Sequence, residues 1–172
     1  MRMLNRKGFT LIELLAVIVI LAIVLVVTIP SVLRAMDQAR ASQLQNSADS
    51  VAEWFQKNYE ISSLSEIGGA ADESYLDFVC TDTEHKNCNS LGTSGTGYNT
   101  TTLASSNTKA DAVLKAAGIG GGIADVTGTV TMNGDKVCVK LSAAADTQTT
   151  KSKFKDVKGT KCSSACSSCP QS

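Results

Sequence analysis

One histidine, His85, is all that the 172 residues provide, and the chain has no G-x-S-x-G elbow and no paired catalytic carboxylates. The glycine run Gly118-Ile119-Gly120-Gly121-Gly122 is not followed by Lys-Ser/Thr and follows no strand pattern, so it reads as a connection and not as a phosphate loop. These gaps leave a membrane-tethered enzyme or binding domain as a remote reading, with no catalytic residue and no cofactor to nominate. Excess charge is missing too: 16 basic residues face 16 acidic ones. Removing Arg2, Arg6 and Lys7 with residues 1–8 leaves 13 against 16, a net −3 before the new amino terminus is counted. That balance argues against a dedicated nucleic-acid binder.

No cysteine precedes Cys80. The six, Cys80, Cys88, Cys138, Cys162, Cys166 and Cys169, all follow one apolar run, as expected of a disulfide framework in an exported domain. Cys80 and Cys88 enclose a short loop and are the preferred local pair. A metal site from Cys80, His85 and Cys88 would lack a fourth ligand, so no metal is assigned.

No acid interrupts Met1–Lys7, and the positive-inside tendency places this short basic stretch in the cytoplasm. Glu13 is the only charge among the 21 residues Phe9–Ile29, which reach about 31 Å as a helix and suffice to cross a bilayer. An ordinary secretory signal would be shorter and would carry small residues close behind it. Here the only A-x-A-like triplet, Ala39-Arg40-Ala41, lies ten residues beyond the run. A plain signal anchor explains the run but not Glu13, because a carboxylate in a spanning segment is costly and usually has a partner. A cut after Gly8 would supply one. The new ammonium of Phe9 would lie four residues before Glu13, and in a bundle of copies it would neutralise Glu13 of a neighbour and fix the axial stagger.

Arg6-Lys7-Gly8-Phe9-Thr10-Leu11-Ile12-Glu13-Leu14-Leu15, with the apolar run and Pro30 behind it, resembles the processing site of type IV pilins with short leaders. The resemblance covers about the first fifty residues. It implies cleavage between Gly8 and Phe9 by a membrane prepilin peptidase, which also methylates the Phe9 amine. Assembly residues Phe9, Glu13 and Pro30, a cytoplasmic assembly ATPase and a homopolymeric pilus follow in the same way. It further implies a precursor anchored once in the cytoplasmic membrane with its head outside, a mature form in an extracellular pilus, and roles such as adhesion or twitching motility. A pseudopilin or minor pilin of a secretion or DNA-uptake machine shares every one of these residues.

The expected fold is α+β, the pilin fold: a long amino-terminal helix, transmembrane in its first half, packed against a small, disulfide-stapled antiparallel sheet. The boundaries read as leader 1–8, helix 9–59 with 9–29 in the membrane, and head 60–172. Fifty-one residues of helix would be about 77 Å long, and Pro30 should bend it gently without ending it. Leu44, Ala48, Val51, Phe55 and Tyr59 recur at helical spacing and make one core stripe; Trp54, Phe55 and Tyr59 read as core and not as a cofactor pocket.

Within the head, 60–106 reads as loop, with glycines at 68, 69, 92, 95 and 97. Residues 107–117 read as a short helix capped by Gly118, 124–160 as antiparallel sheet, and 161–172 as a cysteine-rich tail. Asn133-Gly134 joins two alternating strands, with Val126, Val130, Met132, Val137, Val139 and Leu141 on the helix side. Lys153–Val157, around Phe154, is a candidate third strand. Cys138 has the outward parity, so a tail cysteine, Cys162 first among three, should bond it over the outer face. Cys166-Ser167-Ser168-Cys169 reads as a structural bridge, since a redox C-x-x-C should open a helix. Lysines 151, 153, 155, 158 and 161 read as a solvated strand and loop, with attraction to DNA or another polyanion as the sharper alternative.

Overall fold

The structure, a computed structural model, describes residues 9–64, 71–80, 84, 99–104, 108–133, 135–144, 152–155 and 157–169. Residues 1–8 including Gly8, the 68–69, 92, 95 and 97 glycines, and His85, Cys88, Gly134 and Lys151 lie outside them. The chain divides into two units, Met1–Gln38 and Ala39–Ser172. Helix α1 (Leu11–Ser63) contributes to both and continues through Pro30. In the first unit every described side chain is exposed, from Phe9 at 90 % onward.

In the second unit α1 buries Leu44, Ala48, Val51, Ala52, Phe55 and Asn58. The stripe therefore ends on Asn58, with Tyr59 only partly buried. Asn58 is worth its place because its amide donates to the Trp54 carbonyl at 2.9 Å while its Oδ1 accepts the Asp72 N–H at 2.7 Å. A buried amide satisfied on both sides fixes one chain segment against another. Asp72 in turn caps helix α2 (Glu73–Val79), its Oδ1 accepting from the Ser74 N–H at 2.8 Å. Phe55 meets Trp54, Tyr75 and Phe78 edge to face, at centroid distances of 5.1, 6.0 and 5.7 Å. The aromatics are core.

The sheet has four antiparallel strands in the order β1 (Asn99–Leu103), β2 (Val126–Asn133), β3 (Lys136–Ala143), β4 (Thr160–Cys162). Asn133 pairs with Lys136, so the β2–β3 hairpin closes over two residues. Val126, Val130, Met132, Val137, Val139 and Leu141 are buried together, as their alternation requires. Gly128 shares that face opposite Leu103 and Leu141, where a Cβ would overlap the Lys140 carbonyl.

Three expectations need correction. The 60–106 stretch holds α2 and β1, whose seven and five residues are too short for periodicity; threonine's β preference is the one cue to β1. The third strand is not at 153–157. There Ser152 turns the chain, its hydroxyl accepting from the Phe154 N–H at 3.1 Å and its carbonyl from the Lys155 N–H at 3.3 Å, which sends Phe154 into the core. The added strand is β4, three residues further on.

Disulfide pairing is the third correction. Cys138 bonds Cys166, and Cys162 bonds Cys169. Register decides this. Cys162 pairs with Lys140, one diagonal step from Cys138, and diagonal neighbours lie about 7–8 Å apart, too far for a bridge. Beyond β4 the Ser163 N–H bonds the Val139 carbonyl at 2.8 Å and a turn returns Cys166 to Cys138, with Cα atoms 4.7 Å apart. Cys166 and Cys169 therefore do not bridge each other. Cys80 is disulfide-bonded as well. Ser164 donates to Asp49 Oδ1 at 2.6 Å, which ties the tail to α1.

Helix α3 (Thr108–Ala116) ends in a Schellman motif: Gly118, at φ +94°, donates to Lys115 O and Ile119 to Leu114 O, and Ile119 is buried. Asp111 of α3 is held below its usual carboxylate value first by the Lys115 ammonium at 2.6 Å and then by the Ile123 N–H at 3.1 Å. The folded chain thus binds this proton more weakly than the unfolded one. Its stabilisation is complete above about pH 4 and is lost as pH falls through the lowered value. Asp111→Asn is expected to cost at most about 1 kcal/mol at pH 7, since both side chains are partly in water, and less at pH 2. Urea midpoints of the two chains in detergent at both pH values check this.

Candidate functional site

The candidate site is the start of α1. A helix leaves its first N–H groups without partners, and residues flanking Leu11 supply them. Thr10 sits at the N-cap. The Glu13 N–H donates to its hydroxyl oxygen at 3.4 Å, while Glu13 Oε2 accepts both the Thr10 N–H and the Thr10 hydroxyl at 2.9 Å. This is a capping box, and Thr10-x-x-Glu13 carries its signature in the sequence. Glu13 thus has a partner within its own chain, in addition to the neighbour's amine expected from its charge in lipid; the T-x-x-E spacing is the sequence signal for it.

The box changes what the carboxylate offers. A carboxylate accepts through two oxygens, and Thr10 occupies Oε2 alone. Oε1 accepts no hydrogen bond among the described residues. Glu13 is therefore oriented by its own chain and keeps one oxygen for a cation brought by another molecule. Phe9, exposed just ahead of the cap, is where the structural description begins, and Gly8 lies outside it.

Behind Glu13 the helix shows apolar side chains on all sides. Leu14, Leu15, Val17, Ile18, Val19, Ile20, Leu21 and those after them to Ile29 stay exposed, a surface far larger than a monomer in water tolerates. Among the described residues one helix is long and apolar enough to cross a membrane. Its apolar part is unburied, which sets it apart from the core helix of a soluble protein.

Elsewhere the chemistry is sparse. No group of three or more His, Cys, Asp or Glu able to hold a metal occurs among the described residues. An open groove of about 470 Å³ crosses the outer sheet face, mostly apolar and lined by Thr102, Leu103, Ala104, Thr127, Gly128, Thr129, Lys140, Ser142 and Thr160. It presents no carboxylate, imidazole or thiol.

Residues 3–29 match the family model described as the prokaryotic N-terminal methylation motif, the signature carried by type IV pilins and pseudopilins. No curated protein and no solved structure matches the chain.

Proposed function

We propose that this chain, which bears the N-terminal methylation motif on an unburied apolar helix, is a type IV pilin and the major subunit of a surface filament. The precursor is cut between Gly8 and Phe9 and methylated on the Phe9 amine by a prepilin peptidase. An ATP-driven machine on the cytoplasmic side then moves the apolar helix from the membrane into a helical bundle of copies. One observation carries the reading: Glu13 is pre-oriented by Thr10 with an oxygen to spare, within a matched motif that ends where the apolar run ends. A partly paired acid among hydrocarbon suits a second copy's amine, since the alternative is an unbalanced charge on each side.

A pseudopilin would use the same amino terminus. The major-subunit reading is favoured by the head, where two interleaved disulfides and a tail tied to Asp49 suit a part exposed outside the cell. The test is mass spectrometry of filaments sheared from cells. The expected product begins at a methylated Phe9 and dominates the sheared fraction. A retained leader there would overturn the processing, and a mature chain found only in cell membranes would favour the pseudopilin.

A further inference from the structure

Three contacts place head segments in order along the second unit's part of α1. Arg40 Nη1 donates to the Lys155 carbonyl at 3.5 Å, Asp49 holds Ser164, and Asn58 holds Asp72. At about 1.5 Å per residue the first and last contacts are about 27 Å apart along the axis. The segment at the Arg40 end carries Lys153, Lys155, Lys158 and Lys161 against one acid in its sequence, Asp156, with Asp125 on the neighbouring 3-10 turn. The segment at the Asn58 end carries exposed Glu60, Asp72, Glu73 and Asp77 against Lys57. Among the described residues, the segment at the Arg40 end is thus mainly basic and the one at the Asn58 end mainly acidic.

We propose that these two ends are a docking pair between copies of this chain: the acidic α2 end of one head meets the basic 153–161 segment of the next copy above it. The inference rests on the filament reading, which makes copies parallel and axially displaced. Under that arrangement unlike ends approach each other and like ends do not. Opposite patches select register and orientation more than they add affinity, because exposed charges are screened within about 10 Å at 0.1 M salt. Summed over a fibre, weak contacts still decide whether subunits stay in place.

The test is reversal and restoration in the full chain expressed in cells. Lys153→Glu with Lys158→Glu is expected to lower the yield of sheared filaments at least tenfold. Adding Glu60→Lys and Glu73→Lys, which leave the Asp72 cap of α2 in place, should bring it back within about threefold of the original, by making each end oppose its new partner. Unchanged yield from the first variant, or loss that the second pair fails to restore, would overturn the docking pair. Filaments of normal yield that lose retention on immobilised double-stranded DNA would also overturn it and give the basic end to a polyanion. If the unaltered chain forms no filaments, the filament reading falls and this inference with it; failure of the variants alone touches only the docking pair.

Discussion

Cells making the Glu13→Gln chain are expected to process it at the Gly8–Phe9 bond, hold it in the membrane and show filaments reduced by about two orders of magnitude. The substitution separates the capping role of Glu13 from the proposed charge-pairing role. Glutamine serves at the third position of a capping box as glutamate does, so the start of α1 should survive. What disappears is the charge proposed to face the Phe9 amine of another copy. A charged group left alone at membrane depth costs about 2.5–3.5 kcal/mol on insertion scales, and each 1.4 kcal/mol is a factor of ten in an equilibrium. Every added subunit would bear that cost. The converse substitution, Thr10→Val, removes the cap at about 1 kcal/mol and leaves the charge, so filaments should drop far less. Counting surface filaments by electron microscopy, with an immunoblot for the cleaved chain, reads both variants. Normal numbers of fibres from Glu13→Gln would refute the charge argument.

The second large effect concerns the head. Cys138→Ser with Cys166→Ser opens a bridge spanning 28 residues, and Cys162→Ser with Cys169→Ser opens one spanning 7. Loop-closure entropy assigns about 3–4 kcal/mol to the first and about 2–3 kcal/mol to the second. The Cys138–Cys166 bridge also holds the tail to β3 beyond the end of its backbone ladder, where only Ser163 pairs with Val139. Guanidinium unfolding of the full chain in detergent, followed by Trp54 fluorescence, should show the larger loss for Cys138→Ser/Cys166→Ser. An equal or reversed order would mean that the tail is held chiefly by Asp49 and Ser163.

What the sequence makes legible follows from period. Val126, Val130 and Met132 alternate, Val137, Val139 and Leu141 answer them, and burial on one face is the consequence. Leu44, Ala48, Val51 and Phe55 keep helical spacing and form the stripe; Gly118 marks a helix end because its φ of +94° suits no other residue as well. The amino-terminal motif is legible because a basic stretch, Gly8-Phe9, Glu13 and the apolar run coincide.

The missed features have a different physics. α2 is set by one amide, Asn58, reaching across to Asp72, and no local pattern announces a contact between residues so far apart in the chain. β1 is nearly all threonine, so alternation has nothing to show. Cys138 could be given its outward parity from sequence, but its partner depended on the β3–β4 register, which places Cys162 one step short. The Thr10–Glu13 box is written in T-x-x-E, but the same carboxylate is also the one charge in an apolar run, and that feature dominates its sequence context.

The order of the tail cysteines has one more outcome. Since the 138–166 and 162–169 links overlap, every peptide bond between Cys138 and Cys169 is bracketed by at least one sulfur bridge, and those from 162 to 166 by both. A protease that nicks the exposed loop at Ser164 therefore liberates no fragment. On the filament reading, a subunit that meets digestive enzymes would remain one covalent piece after a cut, and the fibre need not shed the damaged copy.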